Sequence, residues 1–165
     1  MSGKAIGRNF DLGYAGNVSR DRDNIIVSRV VKQGEEDILF GQAVVLNEDN
    51  TIQKIAADNT QQQCIGIAVR EVKQTTNYFT SEGAYHEGDA CSILTRGSIT
   101  VKCNAGTPKA GGKVYVRVEE NDIGVVGEFE AEQSTGNIEL ENVIFTTGQL
   151  DKNNIAEITV LARRI

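Results

Sequence analysis

From Ile25 onward, apolar and polar residues alternate in short runs that are separated by turn-forming residues. The clearest run is KVYVRVE at 113–119, in which three valines alternate with Lys113, Tyr115 and Arg117. Successive side chains of a β-strand point to opposite faces of a sheet. This period of two therefore predicts a strand with its valines inward and the other three residues outward.

Similar alternation, or a run of β-branched residues, marks most of the remaining chain. The segment SITVKC at 98–103 places Ser98 and Thr100 on an outer face. The segment FGQAVVLNEDNTIQKIAA at 40–57 predicts a hairpin whose turn lies at 47–50. Further strands are predicted within 24–31, 64–72, 127–132, 138–145 and 156–165.

Helical periodicity is weak throughout the chain. Residues 51–63 have room for a turn or two of helix, but the preceding hairpin turn favours a strand there. Many short strands without alternating helices predict an all-β fold, either a small β-barrel or a β-sandwich of the β-tulip type. We expect one β domain at 25–165.

Residues 1–24 have neither helical nor strand periodicity, and we interpret them as an extended N-terminal arm. One reading is a frayed terminus, as many domains have. The other is a segment that becomes ordered by lying on a partner. The close spacing of Phe10, Leu12 and Tyr14 supports the second reading, and both remain open.

Composition excludes several classes of function. The 165 residues carry a formal net charge of -6, whereas nucleic-acid binders are usually basic. No apolar run approaches the ~20 residues that span a bilayer. The N terminus shows no apolar signal-peptide core, so we expect a protein that is made and used without export.

Reactive side chains are few and scattered. Cys64, Cys91 and Cys103 match no metal-binding spacing, and His86 is the single histidine. Cys103 falls in phase with inward positions and is expected to be a buried, inert thiol. We therefore expect no catalytic residues, no metal site and no cofactor. A hydrolase using His86 and Cys91 stays as a remote alternative.

Several segments, taken in order, resemble the structural cement or capsid decoration proteins of tailed bacteriophages. They are GRNFDLGYAGNVSR, FGQAVVLN, IGIAVREVKQ, LTRGSITVKCNAGTPKAGGKVYVRV and TTGQLDKNNIAEITVLARRI. Together they cover nearly the whole chain. The competing interpretation is another virion part, such as a tail-tube or head-tail connector subunit.

The resemblance implies a protein that binds the outer surface of the expanded capsid and bridges major capsid protein subunits. It would thereby stabilise the head against internal DNA pressure. It also implies assembly in the host bacterial cytoplasm and a homo-oligomer on the capsid, with a trimer favoured and a dimer possible. The main shell contact would be the arm or the glycine-rich loop Thr107–Gly112. The arm residues expected to bind the capsid are Arg8, Asn9, Phe10, Leu12, Tyr14, Arg20 and Arg22.

Overall fold

The computed structural model describes residues 11–20, 22–71 and 83–162. Within these ranges the secondary structure consists of eleven strands and no helix, as the all-β prediction requires. No helix there is suited by length and hydropathy to crossing a membrane. The strands are β1 (Ile25–Val30), β2 (Ile38–Leu39), β3 (Ala43–Leu46), β4 (Ile52–Lys54), β5 (Cys64–Ala68), β6 (Ala84–Tyr85), β7 (Ala90–Lys102), β8 (Lys113–Arg117), β9 (Phe129–Glu130), β10 (Asn137–Leu150) and β11 (Ile155–Val160).

Eight of these strands follow one hydrogen-bonded order, β4-β3-β5-β7-β11-β10-β8-β9, and β1 pairs with β7 outside it. The pairings between these strands are antiparallel, including the predicted hairpin of β3 and β4. The strands β2 and β6 form a separate two-stranded ribbon. The sheet is sandwich-like and not a closed barrel.

Strand β7 joins the two halves of the sandwich. Its first part pairs with β1 and β5, and its second part pairs with β11. The change occurs at Gly97, whose φ of 117° is open mainly to glycine. A Cβ atom there would lie only 2.0 Å from the Asn24 Oδ1 atom. A strand that bends from one sheet into the other forms the corner of such a sandwich.

Two hydrophobic cores explain the continuous apolar run of β5, where every residue is buried. Cys64 and Ile67 pack into the main core, which also contains Val114 and Val116 of β8. Ile65 and Ala68 face the opposite way, into a second core under the β2–β6 ribbon. Because β5 is covered on both faces, its sequence is apolar throughout rather than alternating.

The prediction that Tyr115 and Arg117 face outward is wrong, because both side chains are buried. The Arg117 guanidinium donates to both carboxylate oxygens of Glu130, at 2.8 Å each. It also donates to the Thr135 carbonyl oxygen at 2.7 Å. Strand β9 lies beside β8 in the same sheet. Its Glu130 side chain, with Ser134 and Thr135 of the following turn, encloses Arg117 in a hydrogen-bonded network.

The prediction of a buried Cys103 thiol is confirmed. Its side chain lies in the main core, at 1% exposure. Burial raises the pKa of the Cys103 thiol to about 11, which disfavours the reactive thiolate. Among the residues described, no group of three histidine, cysteine, aspartate or glutamate side chains is placed to hold a metal ion.

Candidate functional site

Residues 16–19 of the predicted arm pair with the edge of β7 as a short extra strand. The Gly16 N–H donates to the Thr100 carbonyl oxygen at 2.7 Å, and the Thr100 N–H donates to the Asn17 carbonyl oxygen at 2.9 Å. The Ser19 N–H donates to the Ser98 carbonyl oxygen at 3.0 Å. Residues 16–19 of the predicted arm are therefore bound to β7 of the same chain.

The arm also covers the face of β7 that was expected to meet solvent. Ser98 and Thr100 are buried, so their predicted outward position is wrong. The Thr100 hydroxyl donates to the Tyr14 carbonyl oxygen at 2.6 Å. The Ser98 hydroxyl lies 2.7 Å from the Thr159 hydroxyl oxygen. The arm thus satisfies the Thr100 hydroxyl, and the neighbouring strand β11 satisfies the Ser98 hydroxyl, so both polar groups can be buried at these positions.

Arg20 fastens the arm to β11 through a two-pronged ion pair with Glu157. The Arg20 Nε and Nη2 atoms lie 2.9 and 3.1 Å from the two Glu157 oxygens, and the Ser19 hydroxyl donates to the first of them at 2.6 Å. Burial alone would raise the pKa of Glu157, but these hydrogen bonds outweigh it and hold the pKa below its usual value.

We call the Arg20–Glu157 pair the first tether of the arm. A second tether lies at the beginning of the described arm. The Leu12 N–H donates to Asp151 Oδ2 at 2.9 Å, and Asp11 pairs with Lys152 at 3.1 Å. Burial opposes the charged form of Asp151, but backbone N–H groups, including that of Leu12, lower its pKa overall. Both tethers therefore depend on carboxylates that are ionised.

We expect these tethers to weaken in acid. The folded-state pKa values of Glu157 and Asp151 lie below those of the unfolded chain, so their stabilising effect is complete above the unfolded-state values. It is lost as the pH falls through the folded-state values. Urea titrations at decreasing pH should therefore show a falling free energy of unfolding below about pH 4.5.

The variant Glu157→Gln isolates the first tether. Hydrogen bonds to charged groups contribute about 1.5–3 kcal/mol, so we expect the free energy of unfolding to fall by that order at neutral pH. Its further decrease in acid should be smaller than in the unaltered chain. Glu141→Gln, at an exposed carboxylate, is the matched control and should behave like the unaltered chain. An unchanged acid profile for Glu157→Gln would contradict this role.

An open groove of about 700 Å³ lies beside Tyr14 of the arm. Tyr14 is an exposed large side chain, with 67% of its surface accessible, and the neighbouring Leu39 is 43% accessible. We call this the Tyr14 groove, and its lining includes Tyr14, Leu39, Phe40, Arg70, Lys102 and Glu128.

Arg70 lies between two aromatic rings of the groove. Its Cζ atom is 4.7 Å from the centre of the Tyr14 ring and 5.5 Å from that of Phe40. Such cation–π contacts hold a guanidinium in place while leaving its N–H groups available. Tyr and Arg are also the residue types that most often dominate protein interfaces.

A close backbone approach brings Tyr14 and Arg70 together. The Arg70 N–H donates to the Gly16 carbonyl oxygen at 2.7 Å. A Cβ atom on Gly16 would lie 2.9 Å from the backbone nitrogens of both Arg70 and Gly41. Only glycine permits this approach, so the arm meets the segments just before β3 and just after β5 at a fixed position.

The predicted capsid-binding residues differ in their exposure and in their contacts with the rest of the chain. Tyr14 lines the groove, whereas Leu12 is half-buried beside Asp151 and Arg20 is paired with Glu157. Arg22 is exposed. The remaining three, Arg8, Asn9 and Phe10, lie outside the described residues.

Comparison with known families identifies the chain. The family model described as "Structural cement protein (E217 gp24/Pam3 gp6)" matches residues 3–161. The chain belongs to the structural cement protein family. It is therefore a structural, capsid-associated protein of a bacteriophage virion.

A solved capsid structure has the same fold as this cement protein. The chain matches one from the capsid of Myoviridae Phage XM1 with a TM-score of 0.74 and complete coverage of both chains. The sequence identity is 18%, so the likeness shows the fold alone. No curated protein matches the sequence.

The cement family is structural, and the side chains considered for catalysis fit that class. Cys91 is completely buried in the second core, where a substrate cannot reach its thiol. The His86 Nδ1 atom lies 2.8 Å from Asp37 Oδ1, in a half-exposed contact beside the β2–β6 ribbon. The sequence singled out neither Arg70 nor Lys102, because only the fold brings them to Tyr14.

Proposed function

We propose that this cement protein binds the outer surface of the expanded capsid and bridges major capsid protein subunits. It would thereby stabilise the head against internal DNA pressure. The observation that carries the proposal is the family match over residues 3–161, and the exposed Tyr14 groove supplies a contact surface. The formal net charge of -6 suits the outer face, because an acidic protein is repelled by packaged DNA.

Assembly would take place in the host bacterial cytoplasm, where the shell is built. We also infer a homo-oligomer on the capsid, with a trimer favoured over a dimer. Several copies that each touch more than one subunit gain stability through avidity. Arg8, Asn9, Phe10, Arg22 and the loop Thr107–Gly112 remain predicted shell contacts.

Bridging requires a second contact surface, and the loop 119–127 offers one. Ile123 at its tip is 70% exposed, and Val125 is 45% exposed. The Asn121 Oδ1 atom accepts the Ile123 and Gly124 N–H groups, at 3.0 and 2.6 Å. The loop therefore presents Ile123 to a partner in a fixed conformation.

The base of the loop is anchored on the buried Arg117–Glu130 pair. A Cβ atom on Gly124 would lie 2.7 Å from both the Arg117 Nε and the Glu130 Oε1 atoms. Since exposed apolar side chains on rigid loops lose little conformational entropy on binding, this loop suits a stable contact. We assign it to a capsid subunit other than the one at the Tyr14 groove.

The substitution Ile123→Ser tests bridging separately from binding. Burial of an isoleucine contributes about 1.5–3 kcal/mol, so the second contact should weaken roughly 10- to 150-fold. We expect the variant still to bind shells through the groove, but to lose most of the added heat resistance of decorated shells. Calorimetry of shells with and without bound protein measures that resistance.

The matched control for this test is Ile26→Ser, at a residue on β1 that is 46% exposed. It makes the same substitution at an exposed isoleucine outside the loop and should protect shells like the unaltered protein. If Ile123→Ser protects shells fully, the loop 119–127 is not the second contact.

A further inference from the structure

The Tyr14 groove holds two cations in a protein whose formal net charge is -6. Within the described part of the chain, neither Arg70 nor Lys102 has a carboxylate within ion-pair distance. Glu128 is the carboxylate among the described residues that line the groove, and its Oε2 atom accepts a hydrogen bond from the neutral Asn104 side chain. Two cations therefore face one carboxylate. The groove is therefore locally positive.

Arg70 is preorganised but retains its hydrogen-bonding capacity. The Tyr14 and Phe40 rings hold its guanidinium carbon at 4.7 and 5.5 Å. No side-chain hydrogen bond of Arg70 is present among the described residues. A planar guanidinium with available N–H groups matches the two oxygens of a carboxylate.

Apolar surface lies directly beside this charge. Leu39 is 43% exposed and lines the same groove as Arg70 and the exposed Tyr14 ring. A ligand for the groove must therefore satisfy a cation and cover apolar surface at once. Nucleic acid would offer phosphates, but the acidic remainder of the molecule would repel it.

We propose that the Tyr14 groove binds a protein segment in which an aspartate or glutamate side chain adjoins an apolar side chain. The carboxylate pairs with Arg70 and Lys102, and the apolar side chain packs against Tyr14 and Leu39. This inference rests on the proposed function, because the segment belongs to the capsid protein. It adds the chemistry of that segment, which charge complementarity selects.

Two substitutions at Arg70 test this chemistry. Arg70→Gln removes the charge and should weaken binding to expanded shells about 30-fold, as loss of an interface hot spot does. Arg70→Lys keeps the charge but loses the planar fork, so its affinity should lie between those of Arg70→Gln and the unaltered protein. Co-sedimentation at low and high salt measures both affinities.

The salt dependence of shell binding shows whether Arg70 recognises a carboxylate or has only a structural role. Binding of Arg70→Gln should depend less on salt than binding of the unaltered protein, because one interfacial ion pair is gone. Lys32→Gln, at a half-exposed lysine outside the groove, is the control and should leave both affinity and salt dependence unchanged.

Failure of the carboxylate site and failure of the proposed function give different results in this experiment. If the unaltered protein binds shells and Arg70→Gln binds equally well with the same salt dependence, the carboxylate site is disproved and capsid binding stands. If the unaltered protein binds no shells, the proposed function is wrong and the inference falls with it.

Discussion

Replacement of Glu130 by alanine is expected to lower the free energy of unfolding by about 3–5 kcal/mol. Its partner Arg117 is 3% exposed and would be left as an unpaired charge between β8 and β9. Asn137 would also lose its Glu130 acceptor, at 2.5 Å. Urea-induced unfolding, followed by circular dichroism, measures the change.

Two controls make this prediction specific. Glu139→Ala removes a pair between β8 and β10 in which Lys113 is exposed, and it should cost at most about 1 kcal/mol. The double variant Arg117→Met with Glu130→Leu leaves no unpaired charge and should be more stable than Glu130→Ala alone. A cost for Glu130→Ala no larger than that of Glu139→Ala would contradict the assigned role.

Replacement of Tyr14 by alanine is expected to weaken shell binding by about 2 kcal/mol or more, which is roughly 30-fold. The change removes the most exposed ring of the groove and one of the two rings that position Arg70. The Tyr14 side chain is 67% exposed, so the folded domain should persist. Co-sedimentation with shells measures affinity, and thermal unfolding confirms the fold.

The variant Tyr14→Phe keeps the ring and should bind within a few-fold of the unaltered protein. Leu161→Ala, at an exposed apolar residue outside the groove, controls for general loss of surface hydrophobicity. Full binding by Tyr14→Ala would mean that the groove is not the contact surface.

The pattern of alternating residues predicted most of the strands, because burial of one face sets a period of two, but it missed the two-residue strands β2 and β6. The hairpin of β3 and β4, with its turn at 47–50, is an example. The same rule failed for Tyr115, Arg117, Ser98 and Thr100. A polar position looks the same in sequence whether water or another segment covers it, and the covering segments are distant in the chain.

The candidate site was predictable only in part. Tyr14 stood out because a solvated terminus rarely carries closely spaced apolar residues. Arg70 gave no such signal, since only the fold brings it to Tyr14, through the backbone contact between Gly16 and Arg70. The function came from the resemblance, because the residues themselves form no catalytic or metal-binding pattern.

We propose above that this cement protein binds the outside of the mature head. The most direct test is co-sedimentation of the purified protein with expanded and unexpanded capsid shells of its phage. We predict saturable binding to expanded shells and weaker binding to unexpanded ones. Absence of binding to either form would contradict the account and favour a tail-tube or connector role.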